Sequence, residues 1–378
     1  LGNETVNISD TSINASLLIN LDEKTTGMVN ASTVITLTGT ASDINSALSS
    51  EGISNLGNET VNISDTSINA SLLINLDENS TGIIDVSKVV ILTGNYSALN
   101  SAYSSSGLTG LGSENVTVDS GTASVAQINT LAAATTGEVT ATVTEGDMTT
   151  LKTIAESGNS LNVTVTDTSV AATDLTSLDA STNGVVNVSS STLTGTNAEQ
   201  LAAYAAHNAG TITGLDNTLD ATSYLASHTD LLSYYGSNVV GAKSHFFDFG
   251  VNENRSIDSF DDASYLASHS DLLAYGVNTS TAVNHYVNFG YSENRSVDSF
   301  DELGYIASYS DLINIIGNDG TTGTSHYINF GYSENRSVTF DASAYLANYA
   351  DLRTAIGSDL ELAKQHYIKF GFNEGRSF

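Results

Sequence analysis

Residues Leu1–Glu23 read LGNETVNISDTSINASLLINLDE, and the same letters return without change at Leu56–Glu78. A third, looser copy opens at Leu111-Gly112-Ser113-Glu114, and a fourth, more diverged, at Leu161. A chain that duplicates a whole supersecondary unit builds an array, in which each unit buries its apolar face against its neighbours. Because Leu1 already stands in register with Leu56, the chain is expected to be a processed or excerpted piece of a longer protein.

Each copy begins with an alternating segment (Val6-Asn7-Ile8, Val61-Asn62-Ile63, Val116-Thr117-Val118, Val163-Thr164-Val165), the period of a strand with one buried face. Ser12, Ser67, Ser124 and Ser169 then stand where a helix would be capped, and Ile13, Leu17, Leu18 and Leu21 give that helix an apolar stripe. Gly27, Gly82, Gly137 and Gly184 break the chain before a second strand. A further apolar run ends in Leu37-Thr38-Gly39, repeated at Leu92-Thr93-Gly94 and Leu193-Thr194-Gly195. Capping boxes at Thr40/Asp43, Thr144/Asp147 and Thr196/Glu199 predict a second helix, closed by Gly52, Gly107, Gly158 or Gly210. Strand and helix thus alternate in short units, and helical crossovers favour parallel pairing in a right-handed succession. Residues 1–215 are expected to form an α/β solenoid of four repeats, with a pure β-solenoid as the rival. The absence of Pro suits coils that offer every N–H to the next.

Residues 216–378 carry a different repeat. Four copies start at Asp220, Asp261, Asp301 and Asp341, almost evenly spaced. Each contains Tyr-Leu/Ile-Ala-x-x-x-Asp-Leu, then His-aromatic, then Phe-Gly-x-x-Glu-Asn/Gly-Arg-Ser. The histidines are His245, His285, His326 and His366; the arginines are Arg255, Arg295, Arg336 and Arg376. Asp before a small residue caps a first short helix, Asp-Leu begins a second, and the His-aromatic segment reads as a third. The expectation is an all-α array of helical units, each about 40 residues long. This half resembles a repeat found in secreted bacterial proteins, notably cyanobacterial ones, with the pattern Tyr-Leu-Ala-x-Asn-Pro-Asp followed by His-Tyr-x-x-x-Gly-x-x-Glu-Gly-Arg. The chain departs from it in lacking Asn-Pro and in keeping Glu-Gly-Arg only at Glu374-Gly375-Arg376. The first half is similar, more loosely, to repeats of large cyanobacterial surface and haemolysin-type proteins. The resemblance implies a secreted or cell-surface location, an association with calcium and no known catalysis.

Composition narrows the function. Residues 1–215 are rich in Asp and Glu and hold only three cations, Lys24, Lys88 and Lys152, and the whole chain has net charge −31. Such an excess repels phosphate backbones and anionic lipid, which argues against nucleic-acid and membrane partners. No apolar run approaches ~18 residues, so insertion into a membrane is not expected. With no Cys there is neither a disulfide framework nor a Cys zinc site. Asn-x-Ser/Thr triplets (Asn3, Asn7, Asn14, Asn30 and their repeats) would bear glycans only in a eukaryotic secretory setting.

An active site is built once, whereas here every conspicuous residue recurs about four times. The four histidines therefore read as one structural role, an imidazole packed beside the next aromatic and bonded to a backbone carbonyl. The Glu253…Arg255 type of pair reads as a tie from a helix end to the following unit. Calcium is the one cofactor the composition admits, with candidate ligands Asp22, Asp77, Asp179, Asp258 and Asp261, although no calcium-binding nonapeptide or EF-hand loop is present. No phosphate loop, zinc-protease or serine-hydrolase signature occurs. The expected function is a non-enzymatic extracellular structural protein whose partner is itself, polymerised head to tail into a filament, surface layer or matrix fibre. The alternative is an adhesin or lectin-like module whose Tyr-rich repeats hold cell-surface polysaccharide or another surface protein.

Overall fold

The computed structural model describes residues 2–155 and 157–378; Leu1, which opens the first copy in the sequence, lies outside them. The chain divides into two compact units at Leu219/Asp220.

In the first unit every strand pairing among the described residues is parallel, and partners lie a near-constant interval apart. Val6 pairs with Val29 and Val29 with Ile53. Ser12 pairs with Thr36 and Thr36 with Thr60, two equal steps along the chain. Two such steps fall short of one full copy, since the sequence equivalent of Ser12 is Ser67 and not Thr60. The surplus carries the chain sideways to a new column. Thr60–Ile63 shows the consequence. It continues the column of Ser12–Asn14 and Thr36–Gly39, and it also starts the column that runs on to Ile84–Asp85 and Leu108–Thr109. The second column of one copy thereby becomes the first column of the next. This explains why identical letters at Val6 and Val61 sit in different sheets.

Alternation places the apolar members inward. Leu37, Val61, Ile63, Ile84, Leu92 and Val116 are all buried, while Thr36, Thr38, Asn62 and Thr60 face out or to the rim. Between strands run Ala15–Asp22, Ala41–Leu48, Ala70–Asn79, Tyr96–Ser104 and Val125–Ala134, each packed on the next. They seal the core with Leu18, Ile44, Leu73, Leu99 and Ile128.

Several helix boundaries differ from the sequence reading. Ser12, Ser67 and Ser169 lie in strands, and the caps fall just after them, at Asn14, Asn69 and Ala171. Asn14 accepts from Ser16 N at 3.0 Å, the two-residue Asx turn that Asn side chains favour at helix starts. Only Ser124 caps as expected, with Gln127 completing the box. The shift rotates the helix, so Leu17 is 60% exposed and the core stripe passes through Ala15 and Leu18. Thr40 and Thr196 cap their helices, but Thr144 does not: Asp147 caps the short helix Met148–Leu151 instead. Among the predicted stops, Gly210 closes a helix in the left-handed conformation, whereas Gly52 and Gly107 lie against the Asp22 and Asp77 carboxylates, where a side chain has no room.

The second unit consists of four three-helix repeats. In the first, Ala221–Ala226, Thr229–Tyr235 and Val239–His245 are followed by a π-helical turn, Phe246–Gly250. The π turn recurs at Tyr286–Gly290, Tyr327–Gly331 and Tyr367–Gly371. Just beyond it the backbone enters the left-handed region at Asn254, Asn294, Asn335 and Gly375. Asn and Gly are the residues that adopt this conformation at least cost, which accounts for the Glu-Asn/Gly-Arg variation. Asn294→Gly is therefore expected to leave stability within about 0.5 kcal/mol of the parent, and Asn294→Ala to lower it by about 1 kcal/mol, as read from urea unfolding. Among the described residues no helix is long and apolar enough to cross a membrane.

Candidate functional site

The repeated constellation of the second unit is built around a buried tyrosine. Tyr224, Tyr265, Tyr305 and Tyr345 project from the first helix of each repeat and are fully buried. Each shares a hydrogen bond with Nδ1 of the histidine that ends the third helix: Tyr224 with His245 (3.0 Å), Tyr265 with His285 (2.8 Å), Tyr305 with His326 (2.9 Å) and Tyr345 with His366 (2.9 Å). The histidines thus bond a tyrosine hydroxyl, and not the backbone carbonyl expected from sequence. The carbonyl role belongs to a second histidine series, His228 Nε2 to Ser256 O (2.9 Å) and His269 Nε2 to Ser296 O (2.8 Å). In later copies Tyr309 and Tyr349 stand in these places. Tyr309 donates to Ser337 O, and Ser337 N and Ser377 N donate to the two tyrosine hydroxyls at 2.8 Å.

The glycine of each Phe-Gly completes the clasp. A Cβ at Gly250, Gly290, Gly331 or Gly371 would fall 2.0–2.5 Å from the tyrosine hydroxyl of its own repeat. Burial pushes the hydroxyls up, Tyr265, Tyr305 and Tyr345 to about 12, so they stay protonated. Burial also holds His285 below its usual range, reinforced by the charge of Arg295.

The arginines close the same repeat that carries them. Arg255 Nε donates to Glu253 (2.6 Å) and its Nη1 to Asp230 (2.8 Å), an aspartate in the second helix of that repeat. Arg295 with Glu293 and Asp271, Arg336 with Glu334 and Asp311, and Arg376 with Glu374 and Asp351 repeat the arrangement. The expected tie to the following unit is therefore an intra-repeat clamp. Where His has become Tyr, the guanidinium lies over the ring, Arg336 on Tyr309 and Arg376 on Tyr349, both at 4.7 Å.

Four of the calcium candidates accept hydrogen bonds from neighbouring groups. Ser50 Oγ donates to Asp22 and Ser105 Oγ to Asp77, each at 2.6 Å, and Thr211 Oγ1 donates to Asp179 at 3.0 Å. Asp261 caps a helix by accepting from Ser264 N and Oγ. Asp258 lies near Asp220, and burial, with that charge in support, raises its pKa. Among the described residues no three His, Asp or Glu side chains converge as a metal cage.

Two further buried acids escaped the sequence reading. Glu114 accepts from Gly112 N, Ser113 N and the Tyr103 hydroxyl. Glu59, its counterpart one copy earlier, accepts from Gly57 N, but its Oε1 meets no partner among the described residues, because Leu48 occupies the place of Tyr103. The signal available in sequence was the retention of Glu4, Glu59 and Glu114 at the repeat offset.

The charge pattern sets a pH response. The Arg295 hydrogen bonds hold Asp271 below the carboxylate range, and Arg376 does so for Asp351. Their stabilisation is present above the unfolded value of about 3.9 and is lost as pH falls through the lowered folded values. Asp258 and Asp262 behave oppositely: burial raises both, so the folded state binds the proton more tightly and stability rises as pH falls through their folded values. Thermal unfolding of the second unit is thus expected at lower temperature below pH 3 than at pH 7, as the Arg-paired carboxylates protonate, while the depressed His285 opposes any gain from Asp258 and Asp262. Asp262→Asn should reduce the stabilisation that protonating this carboxyl contributes; a transition temperature unchanged between pH 7 and pH 2.5 would contradict the assignment of Asp271 and Asp351.

In all four repeats the constellation joins helices of one and the same repeat. Compared with known proteins, the chain matches no family model and no curated sequence.

Proposed function

We propose that this chain is a non-enzymatic structural protein of the extracellular surface, which self-assembles by stacking its repeats into a filament, surface layer or matrix fibre. In this reading the first unit is a solenoid, each coil adding one rung to the parallel columns. The observation that carries it is the consistent employment of the recurring side chains in joining one segment to the next. Examples are the Asp22–Ser50 and Asp77–Ser105 bonds and the Asn7–Asn30–Asn55 amide ladder, while the Tyr–His and Arg–Asp clamps hold each repeat of the second unit together as one brick. A rod built of repeats gains cooperativity along its axis, and a heterologous contact at its ends propagates without closing. The acidic surface keeps such a rod soluble and free of nucleic acid. Sedimentation velocity across a concentration series, with calcium and with chelator, tests the reading. Species growing continuously with concentration are expected, and a monomer at every concentration in both conditions would sink it.

A second reading rests on a distinct observation. Phe249, Phe289, Phe330 and Phe370 recur once per repeat with 55–57% exposure, and Tyr234 and Tyr275 are more exposed still. Half-open aromatic rings on a protein that repels anions suit a neutral polysaccharide, as an adhesin would require. A glycan array in which Phe289→Ala and Tyr275→Ala reduce every signal would favour it, and a blank array would remove it.

A further inference from the structure

The first repeat of the second unit carries a row of rings that the sequence of the other three does not provide. Its second helix, Thr229–Tyr235, ends in Tyr234-Tyr235, where the later repeats hold Tyr275-Gly276, Ile315-Ile316 and Ala355-Ile356. Tyr234 and Tyr235 meet edge to face with ring centres 4.7 Å apart. Tyr235 meets His245 at 6.1 Å, and His245 meets Phe249 at 5.6 Å. Tyr234 is 81% exposed and Phe249 56%, and the two rings between them are half-buried, so the row lies open along the surface of the repeat.

The middle of the row is held in place. Tyr235 lies directly against the third helix: a Cβ at Gly241 would fall 2.7 Å from its Cδ1. His245 is fixed through Nδ1 by Tyr224 at 3.0 Å, which leaves Nε2 as the second hydrogen-bonding atom of the imidazole. Three of the four rings thus carry a polar atom, two phenol hydroxyls and one imidazole nitrogen, beside an apolar face. The local charge disfavours an anion. Arg255, the one arginine of this repeat, is neutralised by Glu253 and Asp230, and Asp248 is exposed next to Phe249.

We infer that Tyr234, Tyr235, His245 and Phe249 form a track for one linear, neutral polysaccharide chain, and that this repeat makes the principal contact. A pyranose offers an apolar C–H face framed by hydroxyls, which suits rings that present a face and a polar atom together. Rings already pinned by Gly241 and Tyr224 lose little freedom when a ligand settles on them. A net charge of −31 and the exposed Asp248 repel uronate or sulfate chains, which selects a neutral polymer. An open row of rings engages several sugars in succession, so a chain binds where a monosaccharide does not. The inference rests on the polysaccharide reading and specifies where the polymer lies.

The test is affinity electrophoresis of the full 378-residue protein through native gels containing dextran, amylose or hydroxyethylcellulose, with alginate as the anionic comparison. The parent should be retarded by at least one neutral glucan and not by alginate. Tyr234→Ala and Phe249→Ala should each weaken that binding by at least ~5-fold, the loss of one stacked ring. Both side chains are exposed, so unchanged thermal unfolding is expected and separates loss of binding from loss of fold. Tyr235→Ile, which installs the residue of the third and fourth repeats, should also weaken binding, and Phe370→Ala in the fourth repeat should leave it within about 2-fold. If a neutral glucan binds and the first-repeat variants match the parent, the track is overturned while the polysaccharide reading stands. If no neutral glucan retards the parent, or only alginate does, both fall. Self-association without glucan that Tyr234→Ala abolishes would assign the row to a second copy and likewise overturn the inference.

Discussion

Gly82→Ala is expected to destabilise the first unit by about 3 kcal/mol or more, the largest effect of any single methyl group added to it. A Cβ at Gly82 would lie 1.9 Å from the carbonyl oxygen of Glu59 and 2.6 Å from its carbon. Those atoms belong to backbone one rung earlier in the chain, and flanking them are the bonds Thr81 N to Gly57 O (2.7 Å) and Val61 N to Ile83 O (2.8 Å). The two segments would have to separate, and the Val61–Ile84 rung would part with them. Gly27, Gly137 and Gly184 face Glu4, Glu114 and Leu161 in the same way, at 2.1, 2.2 and 2.2 Å. A urea titration decides the matter: a midpoint shift worth less than about 0.5 kcal/mol would show that the segments are not in this contact.

Gly331→Ala should destabilise the second unit by about 2–4 kcal/mol, through a different mechanism. Its Cβ would lie 2.0 Å from the Tyr305 hydroxyl, which is held in place by His326 and by complete burial. The methyl group must either displace the ring or unwind the π turn. Removing the hydroxyl makes room, so Tyr305→Phe should cost about 1–3 kcal/mol alone, for the unpaired His326, yet recover part of the Gly331→Ala loss when the two are combined. A double-mutant cycle measures the coupling. Strict additivity would mean that the hydroxyl and the glycine do not touch.

The sequence was most informative where periodicity and sterics act alone. The duplication of Leu1–Glu23 at Leu56–Glu78 and the Val-x-Ile alternation indicated parallel strands crossed by helices, and the Asp-x-x-x-Tyr-Leu/Ile-Ala pattern, with the segments after it, indicated three short helices per repeat. Gly27, Gly82, Gly137 and Gly184 were visible as breaks, but their reason, a close approach to the backbone of the preceding rung, is tertiary. Helix starts were misread at Ser12 and Ser67 because a strand runs to the residue before the helix, leaving Asn14 and Asn69 as the caps. Within the constellation, Tyr, His, Asp and Arg were all legible as repeat-defining positions, yet their partners were not. Tyr224 and His245 are far apart in sequence, and only the packing of the first helix on the third brings them to 3.0 Å. The mismatch between the length of a copy and two rung spacings was present in the numbering, but its effect, a column shared between two copies at Thr60–Ile63, depends on the pairing register. The same holds for the clamp at Arg255: sequence proximity suggested Glu253, and nothing local pointed to Asp230.

Electron microscopy of the purified protein at rising concentration examines the central claim, that stacked repeats make this chain a building unit for an extended assembly. The account predicts unbranched rods of constant width whose length grows with concentration and whose density repeats along the axis. Isolated particles of a single monomeric size at every concentration would contradict it.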